Sequence, residues 1–163
     1  MSEKRDAALN ALARLGVSYE LVDHPAVYTM EEMEKLPLPH KEAVVKNLFL
    51  RDAKGCRFFL ASLRGDKRAD LRSLGERLGV KLSFASEDRL GEKLGLEKGS
   101  VTPLGVLHDE SRTVEVLFDA DIRAMPLVGV HPNENTATLF LAPGELARLI
   151  RDHGNPFEWM EMP

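Results

Sequence analysis

"AVVKNLFLRD", residues 43–52, is a short, nearly continuous apolar run carried by Val44, Val45, Leu48, Phe49 and Leu50. Such a run suits a strand buried on both faces. Lys46 and Asn47 interrupt it. With side chains alternating, Lys46 shares a face with Val44, Leu48 and Leu50, and Asn47 shares the other with Val45 and Phe49, so one register cannot send both polar groups to water. An ammonium inside a strand needs a carboxylate, the mouth of a sheet, or a pocket to line. From these residues alone, a satisfied structural lysine and a functional one both stand.

Working outward, "DAKG" at 52–55 is a turn and Arg57–Leu63 returns as a second strand, so the two form a hairpin. A helix over about Arg68–Leu78 follows, with Leu71, Leu74 and Leu78 on its buried face and Arg68 and Arg72 one turn apart on another. "VKLSFAS" reads as a short strand, and Ser86 caps a helix reaching Leu94. Upstream, Glu3–Leu15 is an amphipathic helix, "VSYELVDHP" a strand ended by His24-Pro25, and Thr29 and Glu32 have capping-box spacing for a short helix. Downstream, "KGSVTPLGVLHD" reads as an inward-lying loop, "RTVEVLFD" and "TATLFLA" as strands, and Pro143 opens a last helix. Helices and strands interleave without regular βαβ order. The pattern is α+β, with a mixed, curved central sheet and surrounding helices, in one domain spanning residues 1–163.

A composition 44% hydrophobic and 29% charged is that of a globular protein rather than a disordered one. No run approaches the roughly 18 apolar residues of a membrane span, and "MSEKRDAALNALARLG" lacks the apolar centre of a signal peptide. We therefore expect a cytoplasmic protein without membrane contact. Cys56 is the only cysteine, and the five histidines never approach a metal-binding spacing, so neither a metal nor a cofactor is expected. The net charge of -4 is uneven: residues 41–81 hold eleven Lys/Arg against five acids, a local excess of +6. One part of an acidic protein can face phosphate, although solvated helix faces give the same count.

A second unusual segment is "LVGVHPNENTATLFLA", residues 127–142. Gly129 permits close backbone approach, Pro132 fixes a bend, and Asn133, Glu134, Asn135 and Thr136 crowd hydrogen-bonding side chains into one turn. Backbone amides there can hold an anion or a carbonyl oxygen, and His131 can act as a base; a plain polar hairpin loop reads equally well. There is no GxSxG, P-loop or dinucleotide fingerprint, which leaves nucleophilic and nucleotide-hydrolysing chemistries without support.

Taken in order, "AVVKNLFLRD", "FFLASLRGDKRADLRSLGERLGV", "EKGSVTPLGVLHD" and "GVHPNENTATLFLAPGELARLI" closely resemble the YbaK/ProX family over roughly Tyr19 to Ile150. Those proteins are similar to the editing domain inserted in bacterial prolyl-tRNA synthetases, and the free-standing members hydrolyse mischarged aminoacyl-tRNAs. "HPAVYTMEE" and "GVHPNENTAT" look most like the ProX branch, which deacylates Ala-tRNA(Pro). The resemblance implies that Lys46 is the family's pocket lysine, with Asn47, Gly129 and His131 completing a catalytic set that positions water without a metal or a covalent nucleophile. It also implies a substrate pocket walled by Tyr28, Thr29, Met30 and Val45, with Thr102, Asn135 and Thr136 as further contacts. The partner implied is the aminoacylated end of tRNA(Pro), together with transient contact to prolyl-tRNA synthetase. Arg51 and Lys81, then Arg64, Lys67 and Arg68, are the expected tRNA contacts. Removal of cysteine or another small amino acid, and a non-catalytic tRNA- or nucleotide-binding role, remain open readings of the same residues.

Overall fold

The computed structural model describes residues 3–162. In chain order its helices and strands are α1 (Glu3–Arg14), β1 (Glu20–Asp23), α2 (Met30–Glu34), β2 (Lys46–Asp52), β3 (Phe58–Leu63), α3 (Leu71–Leu78), β4 (Leu82–Phe84), α4 (Glu87–Leu94), β5 (Glu115–Asp119), β6 (Val128–Val130), β7 (Ala137–Leu141), α5 (Pro143–His153) and β8 (Phe157–Met160). Short 3₁₀ turns at Lys41–Ala43, Pro103–His108 and Ala120–Ala124 join them.

β2 and β3 form the expected antiparallel hairpin, in register from Lys46 opposite Leu63 to Arg51 opposite Phe58. Asp52 closes it, its buried carboxylate accepting the N–H groups of Cys56 and Arg57 at 2.9 and 3.1 Å. β2 is buried on both sides, as its apolar run requires. Leu50, with Phe59, Ala61 and Leu63 of β3, packs under Leu74 of α3. Val45 and Phe49 face a larger core with Phe118 and residues of α1, α4 and α5.

The expected α+β class holds, but the central sheet is divided in two. One sheet has the order β4-β2-β3-β5-β8, the other β1-β7-β6. The first is mixed: β2 is antiparallel to β3 and β4, while β3–β5 and β5–β8 are parallel. The second is antiparallel throughout. Among the described residues one parallel backbone bridge, Val44 to Gly129, joins them, and their side chains share a core.

Two local readings need correction. The basic helix starts at Leu71 because Asp70 caps it, its carboxylate accepting the Ser73 N–H at 3.1 Å, so Arg68 precedes the helix and does not share its face with Arg72. The "TPLGVLH" segment is not a plain loop but a 3₁₀ turn capped by Thr102. The tail supplies β8, whose Phe157 and Trp159 meet Phe118 edge-on at 4.9 and 5.6 Å; both rings pack on their own chain. Thr29 and Glu32 behave as their spacing predicts: Thr29 Oγ1 accepts the Glu32 N–H, and the Glu32 carboxylate reaches back to the Tyr28 N–H at 3.2 Å.

Candidate active site

At the junction of the two sheets lies a cavity of about 340 Å³. Lys46, Asn47, Gly129 and His131 all line it, with Tyr28, Thr29, Met30 and Val45 from the expected wall. The junction explains the convergence. β2 delivers the first pair, β6 and the residue after it the second, and the segment entering α2 adds Tyr28 and Thr29 to the lining.

Lys46 is half-buried and finds no carboxylate: its Nζ donates to the Lys67 carbonyl at 2.6 Å, and it forms no ion pair among the described residues. The cation is thus held by a neutral dipole and keeps its charge available to the cavity. Asn47 Oδ1 accepts the hydroxyl of buried Ser62 at 2.6 Å, which orients the amide from the next strand. Gly129 is demanded by packing. A Cβ there would lie 2.8 Å from Phe140 Cε1 in its own sheet and 3.2 Å from Val44 Cγ2 across the junction, so a side chain would have to displace both. Gly99 closes the mouth in a related way: its φ is +88°, and a Cβ would sit 2.6 Å from the Tyr28 ring.

His131 donates from Nδ1 to the Ala137 carbonyl at 2.9 Å, which leaves Nε2 bare. Burial pushes its pKa below the ordinary histidine value, the bond to Ala137 opposes that, and nearby His24 lowers it further. The neutral ring is therefore the resting form near neutral pH, with an acceptor available for a proton. Thr138 in the cavity lining, and His24 bonded to it from outside, were not singled out by the sequence. Thr138 lines the cavity, its hydroxyl lies 2.8 Å from His24 Nε2, and the His24 and His131 rings are 6.2 Å apart. "DHP" and "TAT" are sequence-distant and carry no shared spacing, so only the β1–β7 pairing brings them together.

Thr102, Asn135 and Thr136 stand outside the cavity lining. Thr102 is fully buried and donates to the His131 carbonyl at 2.6 Å, fixing that residue from behind. Asn135 Nδ2 donates to the Val27 carbonyl at 2.8 Å and ties down the segment before Tyr28. Thr136 is exposed, and its carbonyl accepts the His24 N–H. The polar turn is thus largely a brace, with Glu134 bonded to Arg5 of α1 and Asn133 to the Lys4 carbonyl.

The basic residues split. Lys81 and Arg68 are exposed. Arg51 is half-buried, its guanidinium capping the carbonyls of Asp52 and Ala53 at the hairpin turn. Arg64 pairs with Asp66 and Asp121. Lys67 is drawn inward: its Nζ contacts Asp119 and Asp121 at 2.9 and 2.7 Å and the Met162 carbonyl at 2.7 Å. Burial works against the Lys67 charge, but the two carboxylates outweigh it and hold its pKa above the ordinary value.

The sequence profile of the aminoacyl-tRNA editing domain family matches residues 24–149. The chain is 44% identical over 161 residues to the prolyl-tRNA editing protein ProX of Acetoanaerobium sticklandii, covering 98% of each. It is 35% identical to the prolyl-tRNA synthetase associated domain-containing protein 1 of Bos taurus, over 94% of this chain and 92% of that one. Its fold matches a crystal structure named as a candidate trans-editing enzyme for prolyl tRNA synthetase, with a TM-score of 0.78 at 22% identity, covering 99% of this chain and 98% of that one.

Proposed function

This chain belongs to the aminoacyl-tRNA editing domain family, and from that premise we propose that it removes alanine from mischarged tRNA(Pro) in trans. It is an aminoacyl-tRNA deacylase acting on the ester that joins an amino acid to the terminal ribose. The observation that carries the reading is the meeting of Lys46, Asn47, Gly129 and His131 around one cavity at the sheet junction.

The chemistry follows from those groups. The Lys46 ammonium holds a phosphate or ribose oxygen of the terminal adenosine. A water between the ester and His131 gives its proton to bare Nε2 while its oxygen bonds to the carbonyl carbon. When the tetrahedral centre collapses, the carbon–oxygen bond to the ribose breaks and the imidazolium returns the proton to the departing ribose oxygen. Amino acid and tRNA are the products, and the protein ends unchanged. Met30, Val45 and the Tyr28–Gly99 contact bound the space for the amino-acid side chain. Excluding a larger group by clash is how a hydrolytic second sieve spares the correctly charged product.

Among the described residues no helix is long and apolar enough to cross a membrane. The cytoplasm, where charged tRNA is used, is the proposed setting, with prolyl-tRNA synthetase as a transient neighbour. The acceptor end enters past Arg51, Lys81 and Arg68. The test is deacylation of Ala-, Cys- and Pro-tRNA(Pro) by the unaltered protein and by Lys46→Ala. Loss of alanine alone, abolished by the substitution, supports the proposal. Preferential release of cysteine would reassign the substrate, and salt-dependent tRNA binding without release of any amino acid would overturn catalysis.

A further inference from the structure

The ladder along β2 is broken where the strand passes the cavity. Toward β3 it is continuous. On the opposite side β2 has two short partners. Gly129 bridges Val44 and accepts the Val45 N–H at 3.3 Å; β4 then pairs from Leu50 to Asp52, with one more bond from the Ala85 N–H to the Phe49 carbonyl at 3.0 Å. Alternate residues of a strand direct both backbone polar groups to alternate sides. Val45 and Phe49 face away from β3, and Asp52, of the other parity, donates across the hairpin to the Arg57 carbonyl. Asn47 therefore turns its own N–H and C=O to the interrupted side, midway along a notch of about 13 Å of strand edge. The notch is a wall of the cavity that also holds Lys46 and His131.

A backbone donor and acceptor at a pocket wall call for a partner. An aminoacyl group is one residue's worth of chain, with an ammonium donor and a carbonyl acceptor on a single carbon. We propose that the aminoacyl group of the substrate fills the missing rung opposite Asn47, its α-ammonium donating to the Asn47 carbonyl and its ester carbonyl accepting the Asn47 N–H. The assignment rests on the deacylase reading and specifies how that site holds its substrate. An antiparallel rung exchanges two such bonds between one residue and its partner, so an alanyl group has the matching geometry. The same N–H then faces the oxygen that gains charge when water adds to the carbonyl, where a preorganised donor has its largest effect. A prolyl nitrogen carries a ring carbon as well, which sets apolar bulk against the strand edge and crowds the rung.

The experiment is amide NMR of the isotope-labelled full chain with a hydrolysis-resistant adenosine bearing alanine through an amide at the 3′ carbon. The Asn47 amide proton should move downfield and its exchange with solvent should slow, while the Leu48 amide, already paired toward β3, should hold its exchange rate. An analogue with hydroxyl in place of the α-ammonium should bind about ten- to a hundredfold more weakly, as for loss of a charged hydrogen bond. Replacing the Asn47 N–H by an ester oxygen, with the side chain kept, should lower kcat at least tenfold. An alanyl analogue that shifts Lys46 and Gly129 but leaves the Asn47 amide unmoved overturns the rung while the deacylase reading stands. Absence of both analogue binding and deacylation overturns both.

Discussion

Replacing Asp119 should uncouple the site from its support. Asp119 is fully buried at the end of β5. Its carboxylate accepts the Arg64 N–H at 3.2 Å, the Asp121 N–H at 3.1 Å and the Lys67 ammonium at 2.9 Å. Lys67 in turn presents the carbonyl that holds Lys46 Nζ. The brace thus runs from β5 through the 64–67 loop to Lys46. At 2.9 Å and an effective dielectric constant near 20, the attraction between Asp119 and Lys67 is roughly 6 kcal/mol before desolvation. Breaking a buried pair costs about 3–5 kcal/mol; Asp121, half-exposed and 2.7 Å from the same ammonium, retains part of it. Asp119→Ala should therefore lose about 2–3 kcal/mol of stability in urea unfolding. Under conditions where the variant is still folded, kcat for deacylation should fall at least tenfold, with KM changed much less. Lys67→Met, which keeps the main chain but frees the loop from its anchor, should follow the same pattern. A variant destabilised as expected but with unchanged kcat would refute the claim that this brace positions Lys46.

Three further outcomes follow from the same geometry. Because burial and His24 lower the His131 pKa, its neutral form should persist below the usual histidine range, so deacylation should stay flat from pH 8 down to about 6.5 and fall only in more acid solution; a pH–rate midpoint above 6.5 would contradict His131 as the base. Gly129→Ala drives a methyl into Phe140 and Val44 and should cost about 1–3 kcal/mol in denaturant unfolding while depressing activity, since the bridge between the sheets must open; full activity with unchanged stability would show that the junction yields freely. Lys81→Ala should weaken tRNA binding with a salt slope shallower by about one, as for loss of a phosphate contact, whereas Lys67→Ala should leave the slope unaltered because that charge is already neutralised by Asp119 and Asp121. A reversed result in filter-binding titrations would interchange their roles.

How much of this was legible depended on range. The β2–β3 hairpin could be read because alternation and a short turn specify it locally, and the caps at Thr29 and Ser86 because one side chain answers an amide three residues on. Lys46 stood out because a lysine conflicts with a two-sided apolar strand. β6 and β8 escaped: three or four residues carry too little pattern, and Val128–Val130 is a strand only because β7 and Val44 lie on either side of it. That Lys67 is paired could not be read, because its carboxylate partners lie more than fifty residues away. His24 and Thr138 were hidden for the same reason, being joined across β1 and β7.

The conflict inside "AVVKNLFLRD" and the division of the sheet have one physical origin. A strand paired on both edges and buried on both faces has no place for a lysine beside an asparagine. β2 meets that condition only at Phe49 and Leu50, where β4 joins it; past them Arg51 and Asp52 bond to the hairpin turn. Over Lys46–Leu48 the second edge is left open, and there the polar pair sits. Filling the gap by extending β4 would satisfy the backbone but would close the cavity against both Lys46 and His131. The stretch therefore encodes the site through what it withholds from the sheet. Its polar residues mark the segment in which pairing must stop for a substrate to enter.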